Sequence, residues 1–142
     1  MKKLVISIFL FFIFSLCSYA QFDREFWFAV PEITSLHADR PIKLNMSAGN
    51  LDAYIQVSIP TNTDIEPKEI FLSANENITI DLTDWIDELE NSVFNSPQNK
   101  GLFIKSDYPI TVYYEVLGTK NQNVNNTEIF ALKGSNACGC GN

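Results

Sequence analysis

Apolar and polar residues alternate one by one over much of this chain. Ile42, Leu44 and Met46 fall on one side of an extended backbone, with Lys43, Asn45 and Ser47 on the other. Ile55, Val57 and Ile59 alternate with Tyr54, Gln56 and Ser58, and Ile78, Ile80 and Leu82 alternate with Thr79 and Asp81. Ile110, Val112, Tyr114 and Val116 do the same against Thr111, Tyr113 and Glu115. Successive side chains of a strand point to opposite faces, so this period of two predicts strands with one buried face. Shorter apolar segments at 26–30, 70–72, 102–104 and 129–132 add further strands, about eight in all.

The punctuation between these segments suits strands joined by short turns. Gly49 and Asn50, then Asn75 to Asn77, then Ser106 to Pro109 are turn chemistry, supplying positive or fixed φ. Pro60, Pro67 and Pro109 stand at the ends of the predicted strands, where a missing N–H is tolerated. Only 84–94 has a helical look, with Trp85, Leu89 and Val93 on one face and Asp84 or Thr83 as the cap. The expectation is an all-β fold, an antiparallel β-sandwich of about eight strands with one short helix.

The first twenty residues stand apart from this pattern. Lys2 and Lys3 precede an apolar run from Leu4 to Phe14, and Ser18 and Ala20 occupy the small-residue positions of a cleavage site. This is the anatomy of a secretory signal peptide cut between Ala20 and Gln21. The run is short for a membrane anchor, which needs about 20 apolar residues. Leu16 before Cys17 fits a lipidation signal poorly. The predicted organisation is a signal peptide at 1–20, a β-sandwich domain at 21–137 and a Gly/Cys tail at 138–142. The protein is then secreted or held at the cell surface, with no membrane insertion once the leader is gone.

Charge and composition narrow the classes of function. The chain carries a net charge of −7, and losing Lys2 and Lys3 makes the remainder more acidic still. No basic cluster offsets this, so phosphate backbones are repelled and nucleic acid is not an expected partner. His37 is the single histidine, and beyond the leader the cysteines are Cys138 and Cys140 alone. Serine, cysteine and zinc hydrolase chemistry all lack parts in such a chain. One residue between two cysteines leaves a bridge between them strained, and a metal would need further ligands nearby. Asp81, Asp84, Asp87, Glu88 and Glu90 form the densest acidic group. Without a glycine at a tight turn they read as carboxylates of a short helix and not as a calcium loop. Paired carboxylates can hydrolyse glycosides, yet any acidic β-protein contains such pairs. No catalytic residue, metal or cofactor is assigned, and the expectation is that the protein is not an enzyme.

Aromatic residues make up 13% of the chain, and some fall at outward positions. Tyr54 and Tyr113 are the candidate binding residues, with Phe71 or Phe103 as further exposed rings and the Asn/Gln-rich stretch 118–126 as an adjoining loop. Such rings stack on sugars or anchor a protein partner, and they equally stabilise sheets as cross-strand pairs. Asn45, Asn77 and Asn125 begin glycosylation sequons, which are expected to be unused because the short Lys-Lys leader has a bacterial look.

Three segments in order resemble the N-terminal domain of the IgGFc-binding protein family. They are REFWFAVPE at 24–32, NKGLFIKSDYPITVY at 99–113 and TEIFALK at 127–133. The family's corresponding patterns run G-x-x-F-W-x-A-F-P, G-I-x-I-x-S-D-x-P-I-x-V-Y and T-D-x-F-x-A-L-P. The resemblance implies an extracellular β-sandwich module used for binding or adhesion, and it supplies no catalytic residues. Lys133 stands where the family has proline, and ACGCGN at 137–142 stands where further strands follow. This suggests a truncated member with an exposed sheet edge, ready to pair with another chain. The functional expectation is a secreted noncatalytic binding or adhesion module for an extracellular protein or glycan. The alternatives are a carbohydrate-binding or carbohydrate-acting domain, or a nonfunctional fragment of a longer surface protein.

Overall fold

A computed structural model of the chain describes residues 22–31, 41–91, 95–117 and 128–135. The leader, His37, the 118–126 loop, Val93, Asn125, Cys138 and Cys140 lie outside the described residues.

The strands are β1 (Asp23–Phe28), β2 (Val30–Pro31), β3 (Ile42–Ala48), β4 (Ala53–Ser58), β5 (Lys68–Leu72) and β6 (Asn77–Asp81). A 3₁₀ turn (Thr83–Trp85) and one helical turn, α1 (Ile86–Leu89), lead to β7 (Glu90–Asn91), β8 (Leu102–Val116) and β9 (Glu128–Ala131). Seven strands make one curled sheet, in which every pairing is antiparallel. The two-residue strands β2 and β7 pair separately and in parallel.

The long strand β8 organises everything else. Its first half lies between β1 and β4, and its second half between β9 and β3. β5 extends the first half beyond β4, and β6 extends the second beyond β3. Two four-stranded halves result, β1-β8-β4-β5 and β9-β8-β3-β6, which share β8 and fold over one core. This is the expected all-β antiparallel sandwich with one short helix.

That core is what the alternation predicts. Phe26, Leu44, Met46, Ile55, Val57, Leu102, Ile104, Ile110 and Val112 are all buried and belong to a single cluster fed by both halves. Each such side chain contributes about 1.5–3 kcal/mol by leaving water. On the β1/β9 side the cluster is closed by rings. Phe28 lies 4.9 Å from the fully buried Tyr114 and 5.9 Å from Phe130, centroid to centroid, so that β1, β8 and β9 are pinned together.

Two expectations are corrected. Ser106 to Pro109 is not a turn between strands, because β8 runs through it. Residues 107–109 appear in none of β8's four pairings, so the strand changes partners there, and the N–H that Pro109 lacks is not needed. The predicted helix over 84–94 is also shorter. It ends at Leu89, after which Glu90 and Asn91 pair with Val30 and Pro31. Trp85, Ile86 and Leu89 are buried as expected, but neither Thr83 nor Asp84 caps the turn. The Thr83 hydroxyl instead accepts the Ile42 N–H at 3.1 Å, tying the turn to the start of β3. The corner opposite is stitched by Asn75, whose φ of 62° is the positive value expected of a turn asparagine and whose N–H reaches the Gly49 carbonyl at 2.6 Å. No helix among the described residues is long and apolar enough to cross a membrane.

Candidate functional site

The outer face of the β1-β8-β4-β5 half carries three rows of side chains set by the strand registers. Trp27, Phe103 and Ser58 form the first, and Glu25, Lys105, Gln56 and Glu69 the second. The third joins Tyr54 to Phe71, with Asp107 beside them accepting the Tyr54 N–H at 2.8 Å. These positions face outward because their neighbours Phe26, Ile104, Val57 and Ile55 are in the core.

The middle row is polar and mutually engaged. Gln56 donates to Glu69 at 2.7 Å, and Lys105 approaches Glu25 at 3.8 Å. On either side of it stands an aromatic pair. Trp27 is 61% exposed and stacks on Phe103, and Tyr54, 66% exposed, tilts against Phe71 at 4.9 Å between centroids. The two aromatic rows are four residue steps apart on β4, from Tyr54 to Ser58, about 13 Å along the strand.

The Trp27 pair differs from the Tyr54 pair in what lies next to it. Where β1 ends, β4 ends and β8 begins, a trough of about 450 Å³ opens, with Trp27, Pro60, Gln98 and Lys100 among its walls. Through Thr61, Gln98, Asn99 and Lys100 it continues into a second depression of about 330 Å³ that reaches Asn62 and Glu88. Internal bonds hold these walls. The Thr61 hydroxyl donates to the Asn99 carbonyl, the Asn62 amide donates to Glu88 at 3.0 Å, and the Lys100 ammonium donates to the Asp87 carbonyl at 2.5 Å. The other depression of note, about 340 Å³, lies at the opposite end beside Leu51 and Tyr108.

Tyr54 and Tyr113 are not brought together. Tyr54 belongs to the face just described, whereas Tyr113 is half-buried on the outer face of the other half, between Asn45 and Ala131. That second face is a hydrogen-bonded polar surface: the Thr79 hydroxyl donates to Asn45 Oδ1 at 2.5 Å, and the Asn45 side-chain amide donates to Glu115 at 3.0 Å. The Asn45 and Asn77 sequons lie on β3 and β6 of this same half. Phe71 and Phe103 both lie on the Tyr54 face, one in each aromatic pair.

The acidic group between Asp81 and Glu90 does not converge, and among the described residues no three of His, Cys, Asp and Glu are placed to hold a metal. Asp81 is held below the ordinary carboxylate value by hydrogen bonds from the Thr83 hydroxyl and N–H, helped by Lys43 and Lys68.

The residue that sequence reasoning did not single out is Trp27. Its signal was present, since a strand that buries Phe26 must turn the next side chain outward. The trough had no comparable signal, because it is assembled from three strand ends that are remote in sequence.

No family model matches the chain, and no curated protein matches it. Among solved structures, the crystal structure of Thermotoga maritima 1070 is 16% identical with a TM-score of 0.43, covering 79% of this chain and 92% of that one. The Anabaena sensory rhodopsin transducer is 19% identical with a TM-score of 0.32, covering 63% and 92%.

Proposed function

We propose that this chain is a secreted, noncatalytic binding module that takes its ligand on the outer face of the β1-β8-β4-β5 half, with Trp27 as anchor. The observation that carries the reading is the exposure of Trp27 at the mouth of a trough, with its orientation fixed by the stack on Phe103. Single exposed apolar residues are ordinary on protein surfaces. A large ring that is exposed, held in one orientation and set beside a concavity is the usual make-up of a binding site. The leader at 1–20 supports secretion, and the resemblance to the IgGFc-binding protein N-terminal domain supports a binding or adhesive role in the same compartment.

The test is retention of the labelled protein on a panel of immobilised polysaccharides and extracellular proteins, with Trp27→Ala run in parallel. Retention on at least one surface, lost in the variant while its melting temperature stays close to the parent's, supports the reading. Absence of retention on every surface, or retention indifferent to the substitution, contradicts it.

A further inference from the structure

We infer that the trough beside Trp27 is a subsite for a neutral oligosaccharide, an inference that rests on the binding-module reading and names its ligand class. Three features of the trough select this class.

The first is its flat apolar wall. Trp27 is backed by Phe103 and cannot swing away without losing that stack, so it offers a preformed platform of the kind that the apolar C–H face of a sugar ring covers. A wall fixed before the ligand arrives avoids the ordering cost that a mobile ring would impose.

The second is the kind of polar group that lines the rest of the trough. Gln98 and Asn99 bring amide side chains that both donate and accept, and Thr61 brings a hydroxyl oxygen that can accept, its proton being given to the Asn99 carbonyl; all three are uncharged. Sugar hydroxyls have the same double character. An extended peptide is matched less well, because the trough crosses the ends of three strands and does not run along one of them.

The third is charge. Lys100 in the trough and Glu88 in the adjoining depression are of opposite sign, and each is already engaged, Lys100 by the Asp87 carbonyl and Glu88 by Asn62. The chain as a whole carries −7, which repels sulfated or uronate-rich chains. A neutral glycan meets neither obstacle.

Tryptophan emission tests this directly. Trp85 is buried, so a ligand-dependent change reports on Trp27. Neutral gluco-, xylo-, manno- and chito-oligosaccharides are titrated, with alginate and heparin oligosaccharides and an unrelated extended peptide as separate arms. The expected result is a saturable shift with at least one neutral series and none with the anionic sugars or the peptide. Asn99→Ala is expected to weaken that binding about tenfold, equivalent to ~1.4 kcal/mol. Thr79→Ala, on the outer face of the other half, is expected to bind as the parent does. No response to any neutral glycan overturns the inference, as does saturable binding to the anionic or peptide arm alone. If the immobilised panel still retains the protein through Trp27, the binding-module reading survives and only the glycan assignment falls. If the panel also fails, both fall.

Discussion

Trp27 lies nearly flat on Phe103 across the β1–β8 pairing, with ring centroids 4.3 Å apart and planes inclined by 27°. The pair therefore has two roles, one in the sheet and one at the trough, and they separate experimentally. Cross-strand aromatic pairs contribute about 0.5–1.5 kcal/mol beyond area burial. Trp27→Ala is expected to lower unfolding stability by about 1 kcal/mol in urea while the domain stays folded, and Phe103→Ala by more, because Phe103 is the half-buried partner. A loss above about 4 kcal/mol for Trp27→Ala would mean that the ring is a core element and not a surface platform.

Gly134 bridges to Phe26, and a Cβ at this position would overlap the side chain of Asp23, which is itself buried. The chain just after β9 can approach β1 only because this residue has no side chain. Gly134→Ala is expected to cost about 1–3 kcal/mol through overpacking, seen as a lower melting temperature with the β-sheet circular dichroism spectrum retained. An unchanged melting temperature would mean that the 128–135 segment does not dock on β1 in solution.

Pro109 sits where β8 changes partners, and no ladder bond depends on it. Pro109→Ala is expected to cost only about 0.4–1 kcal/mol, mostly by giving the unfolded chain more freedom. A loss above about 2 kcal/mol would show that the ring itself shapes the bend.

The lowered pKa of Asp81 fixes the sign of one pH effect. The Thr83 hydroxyl is the main cause, followed by the Thr83 N–H, and both favour the ionised form in the folded state. The resulting stabilisation is present above the ordinary value of 3.8 and is lost as the pH falls through the lower folded-state value. Asp81 is well exposed, so the effect is small. Asp81→Asn is expected to reduce the melting temperature slightly at neutral pH, with the gap closing in acid. A gap that persists unchanged at the lowest pH would assign the loss to something other than the charge.

Much of the fold was legible because burial is one-sided. Where Ile42, Leu44 and Met46 alternate with polar residues, period two allows only one assignment of faces, and the structure follows it. The β8 bend was misread because Ser106, Asp107 and Pro109 carry turn chemistry that here serves a change of partners inside one strand. The helix over 84–94 was overextended because Thr83 is used by Ile42 and the chain after Leu89 finds a strand partner in Val30 and Pro31. The candidate site was legible only in part. Tyr54 was recognised as outward-facing and Phe71 and Phe103 as exposed-ring candidates, but the feature that distinguishes Trp27 is the trough, and that exists only once three strand ends meet.

The central claim is that ligand is taken on the Trp27 face, and amide and indole chemical-shift mapping tests it most directly. The ¹⁵N-labelled protein is titrated with whichever surface-bound ligand retains it. The account predicts shifts at the Trp27 indole and at the amides of Thr61, Asn99 and Lys100, with those of Asn45, Tyr113 and Glu115 unmoved. Shifts centred on Tyr113 and the β3–β6 face, with the Trp27 indole unmoved, would contradict it.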